Sequence, residues 1–190
     1  MSEPLASDCR MGDVTVRRLG ECADAHTFVA QLAEWHFEAF GNRPVDVRLL
    51  ELQQHAAAQA PELFTTLVAQ NGDRVIGSVR VCADDFNGRT SYTPWLATLF
   101  VHPSARNQGI GALLVRSAVD WAERFALHIG SHRIYLYALN EDAKRLYLRL
   151  GWETLEETAP PYTPVGSEPP YFVSIMGFPS AMRRTGECQG

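Results

Sequence analysis

Two periodicities divide the chain. Strict alternation marks Asp13–Leu19, with Val14 and Val16 on one face and Thr15 and Arg17 on the other, which predicts a strand. From Ala23 to Phe40 the spacing changes to 3.6. Ala25, Phe28, Val29, Leu32, Trp35, His36, Ala39 and Phe40 share one helix face, and Glu34 and Glu38 share a neighbouring one. Gly41-Asn42-Arg43-Pro44 stops this helix, and Asp46 caps a second, Val47–Gln59, that ends before Pro61. Strands over Leu63–Gln70 and Arg74–Ala83 are joined by the hairpin signal Asn71-Gly72-Asp73. A polar loop, Asp84–Pro94, leads to Leu96–Val101, where Thr98 is the only polar residue, as in a strand buried on both faces. His102-Pro103-Ser104-Ala105 breaks that run.

The next helix carries its buried stripe on Ile110, Leu113, Leu114, Ser117, Ala118, Trp121, Ala122 and Phe125, and Gly130 closes the region. A short strand over Arg133–Ala138 precedes a helix over Asn140–Leu150, with Gly151 at its C-terminus. The last strands are Trp152–Leu155 and Phe172–Phe178, separated by a long Pro-rich loop of the kind that is usually functional. Residues 1–12 read as a disordered start and 180–190 as a loose tail, leaving one domain over 13–179. The order β-α-α-β-β-β-α-β-α-β-β places antiparallel strands before a β-α-β crossover. It predicts an α/β domain with a mixed, mostly antiparallel sheet of about seven strands and about four helices.

Composition narrows the function more than the fold. A net charge of −5 disfavours a large phosphate-backbone surface, so no nucleic acid is expected. Cys9, Cys22, Cys82 and Cys188 are scattered without metal-ligand spacing, so reduced thiols and no metal are expected. No apolar run approaches 18 residues and the start lacks a signal-peptide pattern, so the expectation is a cytoplasmic protein without a membrane span.

The chemistry concentrates in Leu96–Leu114. A strand, a tight turn and a helix follow one another, and Gly109 and Gly111 stand where the helix starts. The first helical turn leaves amides unpartnered and carries partial positive charge, and glycine lets an anion approach the main chain. Arg106 adds a full charge. The stretch lacks the Lys-Ser/Thr ending of a Walker loop. Leu114 stands where the dinucleotide fingerprint has its third glycine. On these residues alone, an anion site and a plain strand-to-helix turn are equally compatible.

Two signatures together carry a resemblance. Val101-x-Pro103 followed by Arg106-x-x-Gly109-x-Gly111 resembles the pyrophosphate loop of the GCN5-related N-acetyltransferase (GNAT) superfamily. Asn140-x-x-Ala143-x-x-x-Tyr147-x-x-x-Gly151-Trp152 resembles that superfamily's Asn…Tyr…Gly-Phe helix. Many members read Arg-Gly where this chain has Arg106-Asn107, and Thr93-Pro94-Trp95-Leu96 is similar to a bacterial small-molecule branch. The resemblance implies acetyl transfer from acetyl-CoA, as co-substrate, to an amine. It implies that Leu99, Phe100 and Val101 bond the pantetheine through their main chain, between two strands that splay apart. It further implies that Arg106, Asn107, Gln108, Gly109, Ile110, Gly111 and Ala112 cradle the pyrophosphate, that Asn140 contacts the pantetheine arm, and that Tyr147 is the catalytic group near the sulfur.

Each role has a physical basis. A strand amide at Leu99 or Phe100 can stabilise the oxyanion formed when an amine attacks the thioester. A tyrosine hydroxyl can hydrogen-bond or protonate the departing thiolate. The base is open. Some protein-acetylating members carry a glutamate five residues before the Asn, where this chain has Tyr135. A water relay comes first, then Glu34 or Glu38; His36, Asp84, Asp85 and His102 are further candidates. The acceptor site is expected from the first two helices, the loop from Asp84 to Tyr92 and the Pro-rich loop Thr158–Tyr171. Trp35, Phe37, Phe86, Tyr92, Trp95, Tyr162 and Tyr171 would supply its aromatic walls, and Glu34 and Glu38 would hold a cationic small primary amine. The alternatives are a non-catalytic CoA-binding regulatory module, a protein or peptide N-acetyltransferase, and, more weakly, an ATP-binding domain. Either a monomer or a homodimer fits.

Overall fold

The computed structural model describes residues 9–41, 43–57, 65–86, 89, 91–159 and 172–180, with the side chains of residues 9–11, 125 and 127 left aside. The expected strands and helices are all present, with one addition. The strands are β1 (Cys9–Met11), β2 (Val14–Arg18), β3 (Thr65–Asn71), β4 (Arg74–Cys82), β5 (Trp95–Val101), β6 (Arg133–Ala138), β7 (Glu153–Thr158) and β8 (Val173–Pro179). The helices are α1 (Ala25–Phe40), α2 (Val45–Ala56), α3 (Ile110–His128) and α4 (Glu141–Arg149). They build one eight-stranded sheet in the order β1-β2-β3-β4-β5-β6-β8-β7. Every neighbouring pair is antiparallel except β5 and β6.

The eighth strand corrects the expectation of disorder over residues 1–12. Gly12, at φ +59°, turns the chain back so that Cys9 pairs with Val16 and Met11 with Val14. Residues 1–8 lie outside the described residues. Two boundaries also move. Helix α2 starts at Val45 behind Pro44, whose φ of −57° suits a helix start, and Asp46 only accepts the Val47 N–H at 2.9 Å within the first turn. Strand β7 runs on to Thr158 because it pairs along β8 through an irregularity between Thr154 and Glu156. The far end of the second predicted helix, Leu63 and Phe64 of the third strand, the Asn87-Gly88 turn, loop positions 160–171 and tail positions 181–190 lie outside the described residues.

Strand alternation sorts the core into two faces. Leu67, Ala69, Val79 and Val81 pack with Leu114, Val115, Ala118 and Ala122 of α3. Val68, of opposite parity, and Val75, moved to the same face by the irregularity where Ala69 pairs with Gly77 but Gln70 with Val75, pack with Phe28, Val29 and Leu32 of α1 and Leu52 of α2. Beyond β4 that second face continues as Phe86, Trp95, Ala97, Val173 and Ile175, edged by Tyr92, Tyr135 and Tyr137. The sheet is therefore sandwiched between two helix layers. No helix among the described residues is long and apolar enough to cross a membrane.

Candidate active site

The site begins with a fault in β5. Trp95, Leu96 and Ala97 pair in register with Cys82, Val81 and Arg80, but Phe100 pairs with Ser78 and Val101 with Gly77. Two residues, Thr98 and Leu99, therefore stand opposite Val79, and Thr98 adopts φ +51°. A β-branched residue in the left-handed region is a true outlier, and such outliers persist only where the surroundings fix them.

The bulge also reverses which edge each peptide group faces. His102 N–H donates to the Ile76 carbonyl at 2.9 Å, so by alternation Phe100 also faces β4. Leu99 and Val101 then face the opposite edge. Of the three main-chain candidates, the register thus favours Leu99 and Val101 for a ligand beyond β5, and turns Phe100 away from it.

That opposite edge is open. β5 and β6 are paired only at Trp95 and Tyr135, where Tyr135 N–H donates to the Pro94 carbonyl at 2.9 Å. Past this point the strands part. The resulting cavity, of about 440 Å³, is lined from the α3 and α4 side by Val115, Asn140, Ala143 and Tyr147, and from the α1 and α2 side by Phe40, Arg43, Arg48 and Arg80. Lining residues come from both faces, so the split carries the cavity through the sheet.

At one side of the split, α3 begins. Asn107 and Gly109 sit at φ +60° and +79°, conformations that Asn tolerates and Gly adopts freely. This explains how the chain dispenses with the glycine many relatives have after Arg106. The first intrahelical bond runs from Leu113 N–H to the Gly109 carbonyl at 3.0 Å, so the amides of Gly109, Ile110, Gly111 and Ala112 precede the ladder. Arg106 Nε donates to the Val101 carbonyl at 3.0 Å, and Gln108 Nε2 to the Ser104 carbonyl at 3.2 Å. Both contacts tie the exposed loop to the end of β5.

Asn140 and Tyr147, seven residues apart on one helix, both reach the cavity. Asn140 Oδ1 accepts the Ala143 N–H at 2.9 Å, capping α4 and leaving its amide nitrogen outside that bond. Tyr147 is buried against Trp152, and burial pushes its phenol well above the ordinary value. A phenol held so firmly protonated is suited to donating a hydrogen bond to a thiolate, and poorly suited to surrendering its proton to one.

Asp84 and Asp85 of the other wall were candidates in the sequence, but its arginines were not. Arg80, between Val79 and Val81 on β4, faces α1 and α2 by alternation and is buried. Its guanidinium pairs with Glu51 of α2 and Asp85. Glu51 also takes Arg48 at 3.1 Å and Arg43 at 3.6 Å. Burial raises the Asp85 carboxyl against the opposing pull of Arg80. Asp84 lines the cavity too, with Oδ1 accepting the Phe86 N–H at 3.1 Å. The one hint available was a lone arginine inside an apolar strand, which requires a buried partner.

The remaining sequence candidates do not line this cavity. Glu34 and Glu38 are exposed on α1. His36 is buried between Phe40 and Phe100, bonded to Ser78 at 2.8 Å, and held neutral with a pKa lowered to about 3 by burial and then by Arg48 and Arg80. Trp35 packs on Phe100 and His102 at 5.3 and 4.9 Å, and His102 caps the turn over Pro103–Ala105. Trp95 is fully buried among Phe86, Tyr92, Tyr135 and Tyr137, and Phe37 is exposed. Tyr162 and Tyr171 lie outside the described residues.

A split pair of parallel strands, a bulge beside it and a glycine-rich helix start form the arrangement that the resemblance to the N-acetyltransferases implies. The family model of the Acetyltransferase (GNAT) family matches residues 29–152, so the chain belongs to this family and is with it an acetyl-CoA-dependent N-acetyltransferase. None of the curated proteins compared with the chain matches it. Among solved structures, NAA60 of Arabidopsis thaliana in complex with a bisubstrate analogue superposes with a TM-score of 0.67 at 17% identity, over 88% of this chain and 98% of that one. Spermidine N-acetyltransferase of Vibrio cholerae, with CoA and spermine, gives 0.64 at 17%, over 90% and 98%. A GNAT-family acetyltransferase of Streptococcus pneumoniae gives 0.63 at 22%, over 88% and 99%. At these identities the likeness is one of fold.

Proposed function

We propose that this enzyme transfers the acetyl group of acetyl-CoA to a small primary amine by direct attack in a ternary complex. The observation that carries the reading is the cavity itself: it passes from the split between β5 and β6 to a wall of charged side chains, so two reactants can meet inside the sheet. The pantetheine would add to the open edge of β5 through Leu99 and Val101, with its diphosphate on the amides of Gly109–Ala112 and its arm against Asn140. The Leu99 N–H would face the developing oxyanion, and Tyr147 would donate a hydrogen bond to the leaving thiolate. The amine must lose a proton before it attacks. Water in the cavity would take it, and Asp84 and Asp85 are the carboxylates that line the cavity. A cytoplasmic location fits a reaction that draws on acetyl-CoA.

Release of free thiol from acetyl-CoA, followed across a panel of small amines and peptides, tests the proposal. Turnover on small amines is the expected result. Turnover confined to peptide N-termini or lysines would replace the acceptor class. Saturable coenzyme binding without turnover on any acceptor would leave a CoA-binding regulatory module.

A further inference from the structure

The acceptor wall says more about the amine. Three guanidinium groups, of Arg43, Arg48 and Arg80, line one side of the cavity and each pairs with Glu51, while Arg80 also pairs with Asp85. Arg43 is the outermost: its side chain is 46% exposed, and its ion pair with Glu51 is the longest of the three at 3.6 Å. The Nε of Arg80 is buried and has no hydrogen-bond partner among the described residues. The glutamates that would draw in a simple cation, Glu34 and Glu38, lie elsewhere on the surface.

The geometry points to an acceptor that carries a carboxylate beside its amine, an amino acid or similarly small aminocarboxylate, with Arg43 taking the carboxylate in front of the Arg48–Glu51–Arg80 network. This rests on the acetyl-transfer reading above and names its substrate class. Guanidinium and carboxylate match as planar, two-toothed partners, and Arg80 and Arg48, fixed by their own ion pairs, stiffen the wall behind Arg43. The arrangement also helps the chemistry. An ammonium beside guanidinium groups is disfavoured relative to the free amine. The wall thus selects the acceptor by its anionic end and eases loss of the proton at the other, without a strong base in the cavity.

The test compares matched acceptors in the free-thiol assay. The panel holds the common α-amino acids with β-alanine and γ-aminobutyrate, the corresponding carboxamides, and the decarboxylated amines. At least one carboxylate acceptor is expected to exceed its amide and its amine by about tenfold or more in kcat/KM. Arg43→Gln, at a half-exposed position, is expected to raise KM for that acceptor by about tenfold while acetyl-CoA affinity is unchanged, and Arg43→Lys to recover part of the loss. Turnover of carboxylate-free amines at equal or higher efficiency would overturn the inference and leave acetyl transfer standing. So would an unchanged KM in Arg43→Gln, or coenzyme binding with no turnover on any carboxylate acceptor. Failure to bind acetyl-CoA at all would instead bring down the reading on which it rests.

Discussion

The coenzyme half of the cleft is built from main chain, whereas the acceptor half is built from side chains. In the first, the proposed working groups are the amides of Leu99, Val101 and Gly109–Ala112, positioned by a bulge, a strand split and the start of α3. In the second the proposed groups are Arg43, Arg48, Arg80, Glu51 and Asp85, drawn from α1's exit, α2, β4 and the loop after it. A backbone site demands only permissive residues at fixed spacings. A side-chain site demands specific charges that the fold brings together from distant positions. The first kind can be shared by enzymes with different acceptors, and the second gives each its own.

The comparison breaks most sharply at Arg80. Arg80→Met removes the buried ion-pair partner of Asp85 and one of the three arginines on Glu51, leaving the buried Asp85 carboxylate without its hydrogen-bonded cation, and should cost about 3 kcal/mol or more of stability in denaturant unfolding. Loss below about 1 kcal/mol would mean that the network is solvated and does not form the wall. Tyr147→Phe tests the side chain that serves the coenzyme half. Loss of one hydrogen bond to a developing thiolate should lower kcat about 10- to 100-fold with acetyl-CoA affinity unchanged. An unchanged kcat would make Tyr147 a packing residue.

Gly111→Ala separates ligand from protein. A Cβ there meets Leu146 Cδ2 at 3.6 Å and Val101 Cγ2 at 3.8 Å, ordinary contacts that the folded chain accommodates. The melting temperature should barely move, while acetyl-CoA affinity drops about tenfold if the diphosphate lies against this turn. Unchanged affinity would move the diphosphate elsewhere.

A last effect concerns pH. His36 is lowered to about 3 and His55 to about 4, both by burial, so the unfolded chain binds more protons than the folded one once pH falls below about 6.5. Stability should be full above that value and decline towards pH 4. The expected slope is about 1.4 kcal/mol per pH unit for each histidine, and His36→Phe should flatten it. A wild-type profile flat between pH 6.5 and 5 would contradict the burial of both rings.

The same contrast explains what could be read in advance. Gly109 and Gly111 after Arg106, and Asn140, Tyr147 and Gly151 at helical spacing, are local patterns, so the helix start, the cap and the tyrosine were legible. The mixed character of the sheet followed from the hairpin at Gly72 and the crossover through α3. The bulge was not legible, because Thr98 is a good strand residue by propensity and its positive φ is imposed by the tertiary pairing of β4 with β5. Strand β1 was hidden because three residues behind a glycine carry no periodicity. The arginine wall was hidden for a deeper reason: Arg43, Glu51, Arg80 and Asp85 are linked by no spacing, only by the crossing of α2 over the sheet. Glu34 and Glu38 drew notice as a neighbouring pair of carboxylates, but their helix turns them outward.

The central claim is that unpaired main-chain groups on β5 and at the start of α3 hold a coenzyme in the split between β5 and β6. Titration calorimetry of the folded protein with acetyl-CoA tests it most directly. The account predicts one saturable site per chain with a dissociation constant in the micromolar range. No saturable heat up to millimolar acetyl-CoA would contradict it.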